Sequence, residues 1–130
     1  HVENLTLTGS FNLAGVGNAL DNRIEGNAGN NLLDGGEGAD LLIGGAGDDT
    51  YLLGNPQYTT LPTDDTVVEQ VNGGFDTVVT RNVFSLTLPT NVERFVAQWS
   101  YSDFVTITGN ALNNVVDLSQ SVTGAVATLD

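Results

Sequence analysis

Between Gly17 and Leu52 one large apolar residue returns at every ninth position, at Ile24, Leu33, Leu42 and Tyr51, with polar and glycine-rich sequence between. Written in nines from Gly17, the segment reads GNALDNRIE, GNAGNNLLD, GGEGADLLI and GGAGDDTYL. That spacing does not sustain a helical face; it suits three-residue strands whose middle side chain points inward. Such a strand is stable only when stacked on copies of itself. The pattern therefore predicts a buried column of Ile24, Leu33, Leu42 and Tyr51. Leu32 and Leu41, at the seventh position, face outward and call for cover from a neighbouring segment or another copy.

The remaining columns are as regular. Position one is Gly17, Gly26, Gly35 and Gly44; position two is Asn18, Asn27, Gly36 and Gly45; position four is Leu20, Gly29, Gly38 and Gly47. Glycine there permits positive φ and lets carbonyls turn toward one point. Asn at position two tolerates the left-handed region better than other side chains. Position six, Asn22, Asn31, Asp40 and Asp49, sets a side-chain oxygen beside those carbonyls. Asp48 falls in a free column and reads as solvated, while Glu25 and Asp34 end their strands and face solvent or stand behind the ligands.

Beyond the array, Thr66–Val71, Asp76–Thr80, Val83–Leu88, Val92–Ala97 and Phe104–Thr108 read as strands, and Asn55–Pro62 as a loop. Trp99, Tyr101 and Phe104 read as packing under a loop. A longer period is also present. Val2-Glu3-Asn4-Leu5-Thr6-Leu7 recurs as Val92-Glu93-Arg94-Phe95-Val96-Ala97, and GNALDN at Gly17 recurs as GNALNN at Gly109. The chain is thus expected to be an excerpt of a longer repetitive protein: one all-β solenoid segment over 1–130, with the nonapeptide roll at 17–52, a strand-and-loop extension at 53–91 and the start of a second long unit at 92–130.

Composition narrows the chemistry. Sixteen acids against three arginines and no lysine give a net charge of −13. A polyanion needs basic contacts on its phosphates and an anionic membrane attracts basic patches, so neither nucleic acid nor membrane is the expected partner. No apolar run approaches the ~20 residues of a membrane helix, so no insertion is expected. Without cysteine there is neither a disulfide framework nor a thiolate metal site. The attractive partner is a hard cation. GGEGAD is followed by its own repeat rather than by a helix, which excludes a dinucleotide fingerprint, and the glycines fall wrongly for an EF-hand. The sole histidine is residue 1, and no nucleophile–base pair assembles around it, so an enzyme is not expected within this stretch.

The nonapeptides resemble the RTX, or hemolysin-type, calcium-binding repeat G-G-x-G-x-D-x-U-x. GGEGADLLI and GGAGDDTYL match each defined position except Tyr51, an aromatic at the aliphatic site. VENLTLTG, GNALDN, DTYLLGN and FDTVV resemble the long RTX units of large bacterial exoproteins. The resemblance implies a parallel β-roll or β-helix solenoid in which eighteen residues complete one coil, with calcium between turns two blocks apart. Here that sets Gly17–Asn22 against Gly35–Asp40, and Gly26–Asn31 against Gly44–Asp49. The implied ligands are Asp40, Asp49, Asn31 and Asn22, with turn residues Gly26, Asn27, Ala28, Gly29, Gly35, Gly36, Glu37, Gly38, Gly44, Gly45, Ala46 and Gly47. An aspartate that caps the last site in relatives has Gly54 near its place, so Asp64 or Asp65 is expected to serve.

Asn at position six leaves fewer charged ligands, which places the sites in the weak, extracellular range of ~10⁻⁴–10⁻³ M. The later copy GNALNNVVD has no acid at position six and reads as a structural coil. The expected function is a calcium-binding structural module of a secreted bacterial protein, exported by type I secretion and folding on calcium outside the cell. Its expected setting is a repetitive adhesin, filament or S-layer-like surface protein, with further copies of itself or adjoining repeats as partners. The alternative is the C-terminal portion of a secreted lipase or protease.

Overall fold

A computed structural model describes residues 3–54, 64–81, 85–98, 106–120 and 126–127. The expected loop at 55–62, Val83, Trp99, Tyr101 and Phe104 lie outside those residues.

The described residues form thirteen strands: β1 (Asn4–Thr6), β2 (Ala14–Val16), β3 (Arg23–Glu25), β4 (Leu32–Asp34), β5 (Leu41–Ile43), β6 (Thr50–Leu53), β7 (Thr66–Val68), β8 (Thr77–Arg81), β9 (Ser85–Thr87), β10 (Arg94–Gln98), β11 (Thr106–Thr108), β12 (Val115–Gln120) and β13 (Val126–Ala127). Every pairing among them is parallel. Even-numbered strands stack in one sheet, β12-β10-β8-β6-β4-β2, and odd-numbered strands in two shorter sheets, β1-β3-β5-β7 and β9-β11-β13. The chain thus crosses from one wall to the other at each turn, which is the expected all-β solenoid.

Within the array the register is eighteen residues, Ile24 opposite Leu42 and Leu33 opposite Tyr51. The expected single column is therefore two facing columns, because successive blocks lie on opposite walls. Ile24, Leu33, Leu42 and Tyr51 are all fully buried. Burying each such side chain contributes on the order of 1.5–3 kcal/mol, which offsets the backbone entropy of ordering its three-residue strand. Leu32 is exposed and Leu41 partly so, as the seventh position requires.

The coil frame starts one block before the array. Gly15 sits opposite Leu33 at the inward place of β2, and a Cβ there would come within 2.8 Å of Ile24 Cγ2. After the array the coils widen. Strands β6, β8 and β10 are four to five residues long and bury two inward positions each: Tyr51 with Leu53, Val78 with Thr80, Phe95 with Ala97. The expected strand at Thr66–Val71 ends early. The chain leaves the sheet after Val68 and turns at Asn72, whose φ is 59°.

Candidate metal centre

Turns that cross in the same direction stack on the same side of the solenoid. Turns 17–22 and 35–40 share one side; turns 26–31, 44–49 and 69–76 share the other. Two ladders of hydrogen bonds join successive turns, and they run in opposite senses. Position six reaches back: Asp40 Oδ1 accepts the N–H of Asn22 at 2.8 Å, and Asp49 Oδ1 that of Asn31 at 2.7 Å. The ladder continues past the array, where Asp65 Oδ1 accepts the Asp40 N–H at 3.1 Å and Asp76 Oδ1 the Asp49 N–H at 2.8 Å. Position five reaches forward. Asn12 accepts from Asn30, Asn30 from Asp48, and Asp21 from Ala39, each at 3.0 Å. Asp48, expected to be merely solvated, is exposed but receives the Phe75 N–H at 2.9 Å.

One oxygen of each position-six carboxylate is thereby used, and the other is not. Oδ2 of Asp40, Asp49 and Asp76 is buried without a hydrogen-bond partner among the described residues, and the three residues are at most 2% exposed. Burial pushes all three carboxyls up to about 6. The backbone N–H each one accepts offsets part of that rise, while neighbouring acids add to it: Asp65 beside Asp40, Asp76 beside Asp49, Glu69 beside Asp76. Among the described residues no protein cation answers this charge. Arg23 pairs with Glu25 at 2.7 Å, Arg94 with Asp117 at 2.8 Å, and Arg81 stands 3.8 Å from Asp34. Glu25 and Asp34, expected to face solvent or stand behind the ligands, are thus arginine partners. Two like charges 4 Å apart repel by about 4 kcal/mol at an effective dielectric of about 20. Buried charges of this kind are paired or coordinate a metal.

The glycines make room for the oxygens. At position one φ is not positive; the need there is space, contrary to the expectation of conformational freedom. A Cβ on Gly17 would land on the Gly35 carbonyl and Asn22 Oδ1, and one on Gly26 on the Gly44 carbonyl and Asn31 Oδ1. A Cβ on Gly35 would land on Asp40 Oδ2, and one on Gly44 on Asp49 Oδ2, Glu69 Oε1 and the Tyr51 hydroxyl. Positive φ belongs to positions two and four of the last two blocks, Gly36 (95°), Gly38 (117°), Gly45 (108°) and Gly47 (105°).

Asn18 and Asn27 do not adopt the left-handed backbone expected of them. Their side chains cap the turn instead, accepting the N–H of Leu20 at 2.9 Å and of Gly29 at 2.8 Å. Asn22 and Asn31 face inward across those turns and accept the N–H of Asn18 and Asn27 at 2.8 and 2.7 Å. An amide at position six thus closes its own turn, whereas a carboxylate keeps an oxygen in reserve.

The expected turn pairs do meet. Glu37 N–H donates to the Asn18 carbonyl at 3.1 Å, and Ala46 N–H to that of Asn27 at 3.3 Å. The Asn27 carbonyl is therefore engaged by protein, Ala28 donates to Gly9 at 3.4 Å, and the Glu37 side chain is exposed. The free oxygens of Asp40 and Asp49 lie where a Cβ on Gly35 and on Gly44, the first residue of each one's own turn, would stand. Asp49 gathers with the following coil, where one carboxylate oxygen each of Asp49, Glu69 and Asp76 lie within 4.8 Å of one another. Of the two capping candidates, Asp65 joins the ladder and Asp64 is exposed. Glu69 and Asp76 were missed from sequence. A signal for Asp76 was present: Asp49-Thr50, Asp65-Thr66 and Asp76-Thr77 each set Asp-Thr at a strand start. Glu69 carries no comparable mark.

These turns also match a known pattern. The profile of the RTX calcium-binding nonapeptide repeat fits residues 16–51 in four copies. Residues 16–51 are RTX calcium-binding nonapeptide repeats. No curated protein and no solved structure matched the chain. The RTX segment covers β3 to β5, with the ends of β2 and β6. Its cofactor is calcium, and the donors around it, carboxylates, amides and carbonyls, are the hard oxygens calcium takes six to eight of.

Proposed function

We propose that this chain is a calcium-folded structural module of a secreted bacterial surface protein, with Asp40 and Asp49 as its principal array ligands. The observation that carries the reading is the pair of buried, unpartnered Oδ2 atoms of those residues, each over a position-one glycine. Calcium bound there answers the charge that no arginine reaches. The carbonyls of Gly35 and Gly44 and the amides of Asn22 and Asn31 contribute neutral oxygens over Gly17 and Gly26. Magnesium suits this set less, since it demands a tight octahedron and gives up water reluctantly.

Without calcium, the acids repel and glycine-rich turns are costly to order; with it, binding free energy becomes folding free energy. A chain of this kind stays unfolded where calcium is scarce and folds in millimolar calcium outside the cell. The second copy of the long unit, Val92-Glu93-Arg94-Phe95 and GNALNN, supports a repetitive adhesin, filament or S-layer-like parent. Circular dichroism tests the reading: little β-signal in chelator, and a cooperative gain on adding millimolar calcium. Full β-structure in chelator, unchanged by calcium, overturns it.

A further inference from the structure

Below the last nonapeptide turn lies an acidic centre built mostly from sequence outside the array. Asp49 closes the fourth repeat, Glu69 follows β7 and Asp76 precedes β8, and all three are buried. An oxygen from each lies within 4.8 Å of the others. Asp49 Oδ1 and Asp76 Oδ1 are held by the N–H groups of Asn31 and Asp49. Their Oδ2 atoms accept no hydrogen bond among the described residues. Glu69 Oε2 accepts the Gln70 N–H at 2.9 Å, and Oε1 accepts the hydroxyl of Tyr51. Glu69 Oε1, Asp49 Oδ2 and that hydroxyl converge where a side chain on Gly44 would stand.

We propose that the calcium ion held by Asp49 is shared with Glu69 and Asp76, so that it clamps the 69–76 turn onto the last RTX turn. It deepens the array reading at Asp49 and rests on that reading for the identity of the cation. Three carboxylates this close need a positive charge between them, and all three arginines pair elsewhere. The donors are oxygen only, and the chain has no cysteine or methionine, which favours calcium over softer metals. With three carboxylates, where each array turn from the third on supplies one, this site is the tightest in the chain, because charge count sets calcium affinity.

The proposal also accounts for Tyr51. At the eighth position an aliphatic side chain fills the core but carries no polar tip; the tyrosine fills it equally and steers Glu69 into the cluster. The ion would hold the stretch entering β8, which pairs with β6 on one side and β10 on the other. Calcium would thereby order the strands beyond the repeats as well as the repeats.

The full chain tests this by calcium stoichiometry in calorimetry for wild type, Glu69→Gln, Asp76→Asn and Asp40→Asn, and by terbium emission excited through tyrosine. Glu69→Gln and Asp76→Asn should each bind one ion fewer, losing the tightest class and retaining only the part of the calcium-induced β-signal that the array contributes. Tyr51→Phe should keep the ion count and lose severalfold the emission of the first terbium bound. Should Glu69→Gln fold poorly, the Tyr51→Phe emission decides. A full ion complement of unchanged affinity in Glu69→Gln and Asp76→Asn, or unchanged emission in Tyr51→Phe, overturns the proposal. A loss in Asp40→Asn alone would then leave the array reading standing. A loss confined to the Glu69 and Asp76 variants supports this site and overturns the array reading at Asp40 instead.

Discussion

Asp48 donates its N–H to Asn30 Oδ1, while its neighbour Asp49 accepts the N–H of Asn31, so two adjacent residues bond to the same preceding turn in opposite senses. Each step of the turn stack on this side therefore has two side-chain-to-backbone bonds before any metal is considered. Such bonds contribute about 0.5–1.5 kcal/mol each. They fix the turns in register and aim each carboxylate. The same arrangement holds the second oxygen in a buried place, where its charge is unanswered. Hydrogen bonding and electrostatics thus oppose one another in the metal-free coil, and calcium decides between them.

Removing one carboxylate should separate these contributions. Asp40→Asn keeps an acceptor for the Asn22 N–H and removes the charge, so calcium affinity should fall on the order of tenfold or more, as charge count dictates. Asp49→Asn should cost more, because Asp49 also faces Glu69 and Asp76. Asp48→Asn is the control: Asp48 is exposed and Asn can still accept from Phe75, so affinity should change less than twofold. Calorimetric titration reads all three, and equal losses at Asp48 and Asp49 would contradict the assignment.

The raised carboxyls set a pH dependence. Asp40, Asp49 and Asp76 titrate near 6 in the fold, above the ~3.9 of an unfolded aspartate. Between those values the folded chain binds more protons than the unfolded one, so stability of the metal-free coil rises as pH falls through 6. In chelator the β-signal should therefore grow from pH 7.5 to 5. Over the same interval protons compete with calcium, so the calcium midpoint should move to higher concentration. A chelator β-signal that falls on acidification contradicts the burial of these groups.

Much of this was legible in the sequence, for a physical reason. A period of nine with one apolar residue admits few folds, and Ile24, Leu33, Leu42 and Tyr51 are all buried at their predicted place. Asp40 and Asp49 stood out because position six repeats. Glu69 did not, because its role depends on the 25-residue step between Leu42 and Val67, which breaks the eighteen-residue period. Asn18 and Asn27 were misread from backbone propensity. Asn can either enter the left-handed region or cap with its side chain, and only the position of the Leu20 and Gly29 N–H groups decides which.

Position-one glycines should tolerate no side chain. In Gly26→Ala the new methyl meets the Gly44 carbonyl and Asn31 Oδ1 together, so two coils must part. The calcium-induced β-signal should be lost or need several times more calcium. Gly9 also has a positive φ, 88°, but open space around it. Gly9→Ala should cost only backbone strain, about 1–3 kcal/mol, and leave the calcium titration in place. The two titrations, run side by side, separate crowding from backbone strain; similar curves would refute the crowding argument.

The turn at 109–114 should behave as a coil held by amides alone. Asn110 Nδ2 donates to the carbonyls of Pro89 at 2.6 Å and Val92 at 2.8 Å, and its Oδ1 accepts from Leu112 and from Asn114 Nδ2, both at 2.9 Å. Asn27 makes the same reach across one coil, to Thr8 and Phe11. No carboxylate stands in GNALNN, so this turn offers no charge to a cation. Asn110→Ala removes the donors to both carbonyls and should lower stability in saturating calcium by about 1–3 kcal/mol, read as a lower urea midpoint. Calcium stoichiometry and affinity should stay at the wild-type values, since every acid of the array keeps its surroundings. Loss of a bound ion in Asn110→Ala would show instead that this turn, too, holds metal.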